Sequence, residues 1–212
     1  FHGCSYRVVN DRIEAASFAC LAIATRGNVF VEGADQEHMI TFLNMLRKAG
    51  GVFDIDSRGI RFRFEKELKP VILETDVHPG FMTDWQPPFV TMLTQVKGIS
   101  IVHETVYENR FGYVNALLDM DANIQLHKSC LGRKQCRYRD NHFDHSAIIQ
   151  GITELRAKET EIPDLRAGFA YLMAALLAQG TSKVCGIEYV KRGYSYIKEK
   201  LADLGASITE IS

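Results

Sequence analysis

A threefold internal repeat is the feature that most constrains the fold of this chain. Three segments can be aligned: "DRIEAASFACLAIATRGNVFVEG" from Asp11, "DWQPPFVTMLTQVKGISIVHETVYENRFGYV" from Asp84, and "DLRAGFAYLMAALLAQGTSKVCGIEYVKRGYSYI" from Asp164. Each begins with Asp, runs through an apolar stretch to a Gly, and then gives a short β-branched stretch. The starts lie 73 and 80 residues apart. This spacing indicates three related structural units that are too divergent for a solenoid array.

Each repeat has the pattern of a helix, a strand, a second helix, a second strand and one further strand. The Asp is a natural N-cap and the Gly a natural helix stop. "DRIE" and "TDWQ" also have capping-box spacing, which in the second case pairs Thr83 with Gln86. The further strands are predicted in "IRFRFE", "PVILET" and "SAIIQGI". Parallel strands joined by helices predict a layered α/β fold, here one domain with units of about 1–68, 69–145 and 146–212.

Threefold packing of the units would place their first helices side by side. It would bury these helices completely, which explains why "AGFAYLMAALLA", residues 167–178, is apolar on nearly every face. The amino ends at Asp11, Asp84 and Asp164 would then lie at one end of the domain. Free N–H groups and the positive end of the helix dipole make such an end a candidate anion site.

The end of the second helix differs in one repeat. Gly50 and Gly205 close this helix in the first and third repeats, whereas Asp121 occupies the place in "LLDMDANIQL". A left-handed residue is the usual helix stop there, so we expect either that Asp121 adopts that conformation or that the helix ends in a different cap, at a small local cost.

The overall composition excludes several function classes. The 212 residues are 46% hydrophobic and 24% charged, and the formal net charge of −1 gives no general attraction to nucleic acid or anionic membranes. The apolar run at 167–178 is shorter than the roughly 20 residues of a membrane span, and the amino end has no signal-peptide pattern, which predicts a cytoplasmic protein. Five cysteines without a compact spacing framework favour reduced thiols. Because the first residue is Phe1, we expect a piece of a longer polypeptide.

A set of charged residues recurs at matching places in the repeats. Arg110 and Arg192 each lie twelve residues after the glycine of their repeat, where the first repeat has Met39, so the fold itself does not require an arginine. Guanidinium groups bind carboxylate and phosphate bidentately, and several of them near one carboxylate suit a multiply charged anion. The alternative is that each arginine pairs with a neighbouring acid such as Glu108 or Asp164 on a solvated surface. The full set is Asp84, Arg110, Arg166 and Arg192.

Four ordered motifs resemble one enzyme family. The strings "HPGFMTDWQ", "HETVYENRFGYV", "PDLRAGFAYLMAALLAQGTSKV" and "YVKRGYSYIKEKLADLGA" closely resemble the UDP-N-acetylglucosamine enolpyruvyl transferases, or UDP-N-acetylglucosamine 1-carboxyvinyltransferases. "YRVVNDRIEAASF" resembles the segment where that family's second large domain resumes. The related shikimate-pathway enolpyruvyl transferases have a Lys-Glu-Ser-Asp-Arg stretch where this chain has "YVKRGYSY", so the resemblance favours the cell-wall branch.

The resemblance implies a fold, a reaction and a set of site residues. The fold would be an inverse α/β barrel of three pseudo-symmetric βαβαββ units, facing a second similar domain across the active-site cleft. The reaction would transfer enolpyruvyl from phosphoenolpyruvate to the 3-hydroxyl of UDP-N-acetylglucosamine, the first committed step of peptidoglycan synthesis, with no cofactor. Asp84 would be the general base. The residues expected to bind substrate are Thr83, Asp84, Val106, Arg110, Arg166 and Arg192.

The resemblance also implies that half of the active site comes from elsewhere. The family's other domain supplies a Lys-Asn pair and a loop with a proton-donating Cys or Asp, and neither can be matched here. We therefore expect a monomeric chain that is inactive alone and lacks its amino-terminal partner domain. The alternative is a non-catalytic nucleotide-sugar-binding module with the same fold.

The segment "HKSCLGRKQCRYRDNHFDH" permits two further interpretations. Its Cys130, Cys136, His142 and His145 could bind zinc, but their C-x5-C-x5-H-x2-H spacing is not a common zinc pattern, so we predict no metal. Its basic patch indicates a solvated loop, or one near the nucleotide phosphates, rather than a nucleic-acid site. That patch comprises Lys128, Arg133, Lys134, Arg137 and Arg139, together with Tyr138.

Overall fold

Three helices lie at the centre of the fold and three small sheets lie around them. The computed structural model describes residues 2–134, 136–138 and 142–211. The helices are α1 (Arg12–Ala24), α2 (Ile40–Lys48), α3 (Gln86–Leu93), α4 (Val114–Asp119), α5 (Gly168–Leu177), α6 (Ile187–Lys191) and α7 (Ile197–Asp203). The strands are β1 (Asn28–Glu32), β2 (Val52–Asp56), β3 (Gly59–Arg63), β4 (Ile72–Glu74), β5 (Gly98–His103), β6 (Ile124–His127), β7 (Ser146–Gly151), β8 (Glu159–Glu161) and β9 (Lys183–Cys185). Short 3₁₀ turns cover Gln36–His38, Thr83–Trp85 and Arg110–Tyr113.

The first helices of the three repeats, α1, α3 and α5, pack against one another, as the repeat predicts. Phe18 of α1 meets Phe169 of α5 edge to face, with 5.4 Å between ring centroids. Helix α3 is buried along its whole length. The prediction of complete burial is wrong for α5, because Leu176 and Leu177 are only partly buried. The sheet of the third repeat has two strands, against three and four in the others, and so covers less of its helix.

The sheets combine parallel and antiparallel pairs. Strands β4 and β5 pair in parallel across α3, and β8 and β9 pair in parallel across α5, which confirms the predicted crossovers in the second and third repeats. The first sheet, of order β1-β3-β2, is antiparallel throughout. Its strands β2 and β3 are joined by only two residues, Ser57 and Arg58, and a connection that short can join only antiparallel neighbours.

The three repeats are unequal in strand content. In the second sheet, of order β4-β5-β7-β6, strand β7 pairs antiparallel with both β5 and β6. The boundary predicted between residues 145 and 146 would separate β7 from these partners, so we place the end of the second unit after Gly151. Within the part of the chain that the structure describes, residues 206–211 form no strand. The second repeat alone therefore shows all six elements of a βαβαββ unit there.

The ends of the second helices agree with the sequence. Gly50, Asp121 and Gly205 have φ values of 93°, 68° and 95°, so of the two alternatives Asp121 adopts the left-handed conformation. The Asp121 carboxylate pairs with Arg156 at 3.2 Å on the surface.

Two expectations from composition concern the thiols and the membrane. All five cysteines are free, as expected for reduced thiols, and Cys20 is buried within α1. Across the described ranges, every helix falls short of the length and apolar content that a bilayer-spanning helix needs.

Candidate functional site

The amino ends of the three central helices meet at one end of the domain, as predicted. The indole Nε1 of Trp85 donates to the carbonyl of Arg12 at 3.3 Å, which joins the start of α3 to the start of α1. The guanidinium of Arg110 joins the start of α3 to the start of α5, through Oδ1 of Asp84 at 3.0 Å and the carbonyl of Arg166 at 3.2 Å. The three repeats thus direct their helix starts toward a common region.

The aspartates at the starts of the three repeats make different contacts. Oδ1 of Asp11 caps α1 by accepting the N–H of Ile13 at 2.7 Å, and Oδ1 of Asp164 accepts the N–H of Arg166 at 2.7 Å. Asp84 caps no helix. Unlike Asp11 and Asp164, Asp84 therefore uses its carboxylate for a contact with a distant residue, Arg110, and not for its own helix start.

The two predicted capping boxes are not formed. In "DRIE" the Glu14 carboxylate pairs with Lys200 at 2.6 Å, because α7 packs beside the start of α1. In "TDWQ" the Thr83 hydroxyl donates to Oε2 of Glu104 at 3.0 Å, and Oε1 of Gln86 accepts from the Tyr113 hydroxyl at 2.9 Å. Both side chains of the second box are thus used for tertiary contacts at the site.

The pair of Asp84 and Arg110 forms the centre of the site. The Arg110 side chain is 2% exposed, whereas that of Asp84 is 37% exposed. A buried guanidinium therefore holds a carboxylate that solvent or a ligand can reach. The Arg110 Nε is also buried and has no hydrogen-bond partner among the described residues. The alternative of simple surface pairing with Glu108 or Asp164 is wrong for Arg110, because its carboxylate partner is Asp84 from another element.

The other two predicted arginines, Arg166 and Arg192, are both exposed. Both Arg110 and Arg166 place their Cζ atoms near the ring of Tyr107, at 5.6 and 5.0 Å from its centroid. A ring face attracts cations, so it holds two like charges close together. Arg192 is exposed and follows α6. A Cβ added to its neighbour Gly193 would lie 2.7 Å from Cδ1 of Leu165, which places the turn carrying Arg192 against the segment that carries Arg166.

Glu104 organises the site, and the sequence argument missed it. Its side chain is fully buried and accepts the hydroxyls of Thr75 at 2.8 Å and Thr83 at 3.0 Å. It also accepts the backbone N–H groups of Val106 at 2.9 Å and Tyr107 at 3.0 Å. One carboxylate therefore fixes the residue before Asp84 and the loop that carries Val106. The available signal was an acid directly after the apolar strand "GISIVH".

The basic patch of the 128–139 segment lies partly beside Val106. The carbonyl of Val106 accepts from the Tyr138 hydroxyl at 2.7 Å and from the Arg137 guanidinium. Lys134 pairs with Asp76. Arg137 is exposed, as expected for a solvated loop, and its guanidinium also contacts the Val106 carbonyl. Arg139 lies outside the described residues.

Two buried tyrosines support the helix starts. Burial raises the pKa of Tyr113 well above its ordinary value, so its hydroxyl stays protonated and donates to Gln86. Burial likewise raises the pKa of Tyr194, whose hydroxyl lies 2.8 Å from Oγ of Ser17 in α1. These contacts fix α3 and the third repeat around the charged site.

The cysteines and histidines of the 127–145 segment form a different group from the one considered in the sequence. Cys130, Cys136 and His145 come together with His103, which the linear pattern did not include. His142 is exposed and lies outside this group. A spacing argument confined to one segment could not include a residue that the neighbouring strand supplies.

A cavity of about 420 Å³ lies in another part of the described structure. It lies between α1, β1 and the end of α7, with Asn10, Phe18, Phe30 and Leu204 in its lining. Neither Asp84 nor Arg110 borders it, so we give greater weight to the chemistry of the exposed charged face than to the size of this cavity.

Comparison with known proteins identifies the family. The sequence model of the EPSP synthase (3-phosphoshikimate 1-carboxyvinyltransferase) family matches residues 1–201. The chain belongs to this family. Family membership confirms the enolpyruvyl transferase resemblance that the motifs indicate.

Curated relatives within the family carry a more specific name. The chain is 56% identical over 210 residues to a UDP-N-acetylglucosamine 1-carboxyvinyltransferase of Protochlamydia amoebophila. This alignment covers 99% of the chain and 45% of the relative. It is 51% identical to the enzyme of that name from Chlamydia abortus, over 100% of this chain and 48% of the relative. The chain thus spans about half the length of these relatives.

Solved structures confirm the predicted α/β fold class. The enolpyruvyl transferase NikO from Streptomyces tendae superposes with a TM-score of 0.80 at 21% identity, over 95% of this chain and 44% of NikO. An EPSP synthase from Acinetobacter baumannii superposes with a TM-score of 0.65 at 15% identity, over 97% of this chain and 44% of the synthase. At these identities the likeness establishes the fold and not the substrate.

Proposed function

We propose that this chain is the half of a UDP-N-acetylglucosamine 1-carboxyvinyltransferase that carries the general base. The enzyme would move enolpyruvyl from phosphoenolpyruvate to the 3-hydroxyl of UDP-N-acetylglucosamine in the cytoplasm. This reaction would serve peptidoglycan synthesis, and through it cell shape and division. The observation that carries the proposal is the half-exposed Asp84 held by the buried Arg110 at the helix starts. The names of the most similar relatives supply the substrate class.

Asp84 has the geometry of a base whose position is fixed before substrate binds. Arg110 engages Oδ1 through a charge-assisted hydrogen bond. Hydrogen bonds among the described residues reach only Oδ1 of this carboxylate, so Oδ2 remains able to accept a proton. The sugar hydroxyl would pass its proton to Asp84 while its oxygen attacks phosphoenolpyruvate. A proton donor from the second domain would protonate C3, the methylene carbon, as the sugar oxygen bonds to C2. In the elimination step C3 would lose a proton and C2 would lose phosphate, so that the double bond between C2 and C3 forms again.

The arginines would neutralise the charge of phosphoenolpyruvate, which carries both a carboxylate and a phosphate. The guanidinium groups of Arg110 and Arg166 lie near the ring of Tyr107, and Arg192 is exposed on the turn that packs against the segment carrying Arg166. Fixed cations of this kind stabilise charge as it shifts during addition and elimination. Thr83 and Val106, both fixed by Glu104, would contact the UDP-sugar.

The second candidate function is a nucleotide-sugar-binding module without catalysis. The open position of Asp84 and the arginines suits either function until a second domain covers them. We also propose a monomer without a nucleic-acid or membrane partner, which sedimentation velocity would check. An obligate dimer would contradict that part of the proposal.

The decisive experiment compares the 212-residue chain with a two-domain protein in which it is joined to the missing half. Phosphate release is measured with phosphoenolpyruvate and either UDP-N-acetylglucosamine or shikimate 3-phosphate. We expect turnover only by the two-domain protein and only with the UDP-sugar. Turnover with shikimate 3-phosphate would overturn the substrate assignment, and a folded two-domain protein that binds the UDP-sugar without turnover would favour the binding module.

A further inference from the structure

Four potential zinc ligands converge beside the site loop. They are His103, Cys130, Cys136 and His145, and one ligand atom from each lies within 4.8 Å of the others. His103 and His145 are buried and the two cysteines are largely shielded. Two thiols and two imidazoles in one cluster form a common ligand set for structural zinc.

The fold brings these residues together from three elements. His103 ends β5, and its register partner on β7 is Ser146, directly after His145. The two histidines therefore lie at the same end of neighbouring strands. Cys130 and Cys136 lie on the segment after β6, which crosses this end of the sheet. The arrangement is independent of the C-x5-C-x5-H-x2-H spacing on which the prediction of no metal was based.

The spacing of the ligand atoms is close to what a metal requires. Tetrahedral zinc with Zn–S of about 2.3 Å and Zn–N of about 2.0–2.1 Å sets sulfur and nitrogen about 3.5 Å apart. Sγ of Cys130 lies 3.4 Å from Nε2 of His145. The remaining pairs, at up to 4.8 Å, need to close by about 1 Å, which side-chain rotation can supply.

Both histidines are oriented as zinc-binding histidines usually are. Nδ1 of His145 lies 2.9 Å from the carbonyl of Phe143, and Nδ1 of His103 lies 3.4 Å from Oε2 of Glu74. An Nδ1–H that donates to a carbonyl or a carboxylate leaves Nε2 as the metal ligand. Nε2 of His103 is buried without a hydrogen-bond partner among the described residues. Buried polar atoms nearly always have a partner, so a metal ion at this nitrogen would explain the exception.

The surrounding backbone also suits a thiolate site. The N–H of Tyr138 points to Sγ of Cys136 at 3.4 Å. The backbone N–H of Lys134 donates to Oε2 of Glu74 at 2.8 Å, so the loop is tied to the carboxylate that orients His103. A Cβ on Gly132 would collide with both His103 and Glu74, so only glycine allows the loop this close.

We propose that His103, Cys130, Cys136 and His145 bind one zinc ion that fixes the 128–138 loop to the end of the second sheet. Four protein ligands leave no open coordination position, so the zinc would be structural. Its effect would reach Val106, because Cys136 contacts the carbonyl of Glu104 at 3.9 Å and Tyr138 donates to the carbonyl of Val106 at 2.7 Å. This inference does not depend on the proposed enzymatic activity.

Metal content of the untagged 212-residue chain tests the proposal directly. The protein is expressed in zinc-supplemented medium, purified under reducing conditions without chelators, and analysed by mass spectrometry of its elements. We expect about one zinc per chain, and Cys130→Ser or Cys136→Ser should lose it. Two matched controls, Cys4→Ser and His142→Ala, change an exposed cysteine and an exposed histidine outside the cluster and should retain it.

Cobalt substitution separates loss of the site from loss of folding. Co²⁺ added to the metal-free chain should give the visible bands of a tetrahedral ion and the near-ultraviolet charge-transfer band of a thiolate ligand. Circular dichroism of each variant reports whether it is folded. Glu74→Gln keeps all four ligands but weakens the orientation of His103, so we expect zinc affinity to fall about 10- to 100-fold with the cobalt spectrum retained.

Three results would overturn the proposal. The first is a folded wild-type chain with less than about one tenth of a zinc per chain and no cobalt–thiolate band. The second is a disulfide between Cys130 and Cys136 that persists in the protein isolated under reducing conditions. The third is a site that His142→Ala abolishes while Cys136→Ser leaves it intact.

Discussion

Nη2 of Arg110 lies 3.0 Å from Oδ1 of Asp84, although the two residues belong to different segments 26 positions apart. The same nitrogen donates to the carbonyl of Arg166 in the third repeat. A single buried guanidinium thus connects the second and third repeats and fixes the only repeat aspartate that does not cap a local turn. The threefold symmetry is broken at the place where chemistry is proposed.

The first prediction concerns the proposed base. Asp84→Asn keeps an oxygen that can accept from Arg110 but cannot take a proton from the sugar hydroxyl. In the two-domain protein we expect kcat to fall about 10²- to 10⁴-fold, with a much smaller change in KM for UDP-N-acetylglucosamine. Steady-state phosphate release measures both constants, and a variant with near-native kcat would return Asp84 to a structural role.

The second prediction separates anion binding from proton transfer. Arg192→Ala should raise KM for phosphoenolpyruvate more than it lowers kcat, because Arg192 is proposed to hold an anion. Lys191→Ala is the matched control, since Lys191 is also exposed and pairs with Glu210 instead. The free energy of unfolding of both variants should lie within about 0.5 kcal/mol of the wild-type value. Equal kinetic effects of the two substitutions would argue against the assignment of Arg192.

The third prediction concerns the buried carboxylate that fixes the site. Glu104→Ala leaves the N–H groups of Val106 and Tyr107 without acceptors, so we expect the free energy of unfolding to fall by at least about 2 kcal/mol. Glu104→Gln keeps one oxygen for these groups and should cost less. Urea unfolding of the 212-residue chain measures both losses. Equal losses would contradict this argument, because the oxygen that glutamine keeps would then preserve none of the stabilising hydrogen bonds.

The sequence predicted those features of the fold that repeat along the chain. The side-by-side packing of α1, α3 and α5 follows from three apolar stretches at matching positions, and the conformation of Asp121 follows from two glycines at the same place. Glu104 and His103 could not be found in this way. His103 ends the apolar strand β5 and Glu104 follows it, and neither position recurs in the other repeats. The role of each comes from partners such as Thr83 or Cys136 that only the tertiary structure brings near.

The fourth prediction uses the left-handed position of Asp121. A β-branched side chain is strongly disfavoured there, so Asp121→Val should lower the free energy of unfolding by about 1–2 kcal/mol. Asp121→Gly relieves the strain and loses only an exposed ion pair with Arg156, so we expect it to be neutral or stabilising by about 0.5 kcal/mol. Urea midpoints of the two variants give the comparison. A valine variant as stable as the glycine variant would contradict the backbone argument.

The fifth prediction links the 128–138 loop to the proposed nucleotide-sugar site. The hydroxyl of Tyr138 donates to the carbonyl of Val106, and burial raises the pKa of Tyr138, so this hydrogen bond persists through neutral and mildly alkaline pH. Tyr138→Phe removes the hydroxyl and keeps the ring. In the two-domain protein, loss of one net hydrogen bond of about 0.5–1.5 kcal/mol should raise KM for UDP-N-acetylglucosamine about two- to tenfold while kcat changes little.

Tyr6→Phe is the matched control for this change, because Tyr6 is exposed and removal of its hydroxyl should leave both constants unchanged. The kinetic constants of the Tyr138 variant are then compared with the zinc-loaded and chelator-treated wild type. If the loop acts on the proposed sugar site through Val106, removal of zinc should raise the same KM and leave kcat similar, since both changes weaken the contacts made to the Val106 carbonyl. A Tyr138→Phe protein with unchanged KM would contradict the role of the Tyr138 hydroxyl and show that the contacts of Val106 with Glu104 and Arg137 suffice to hold it.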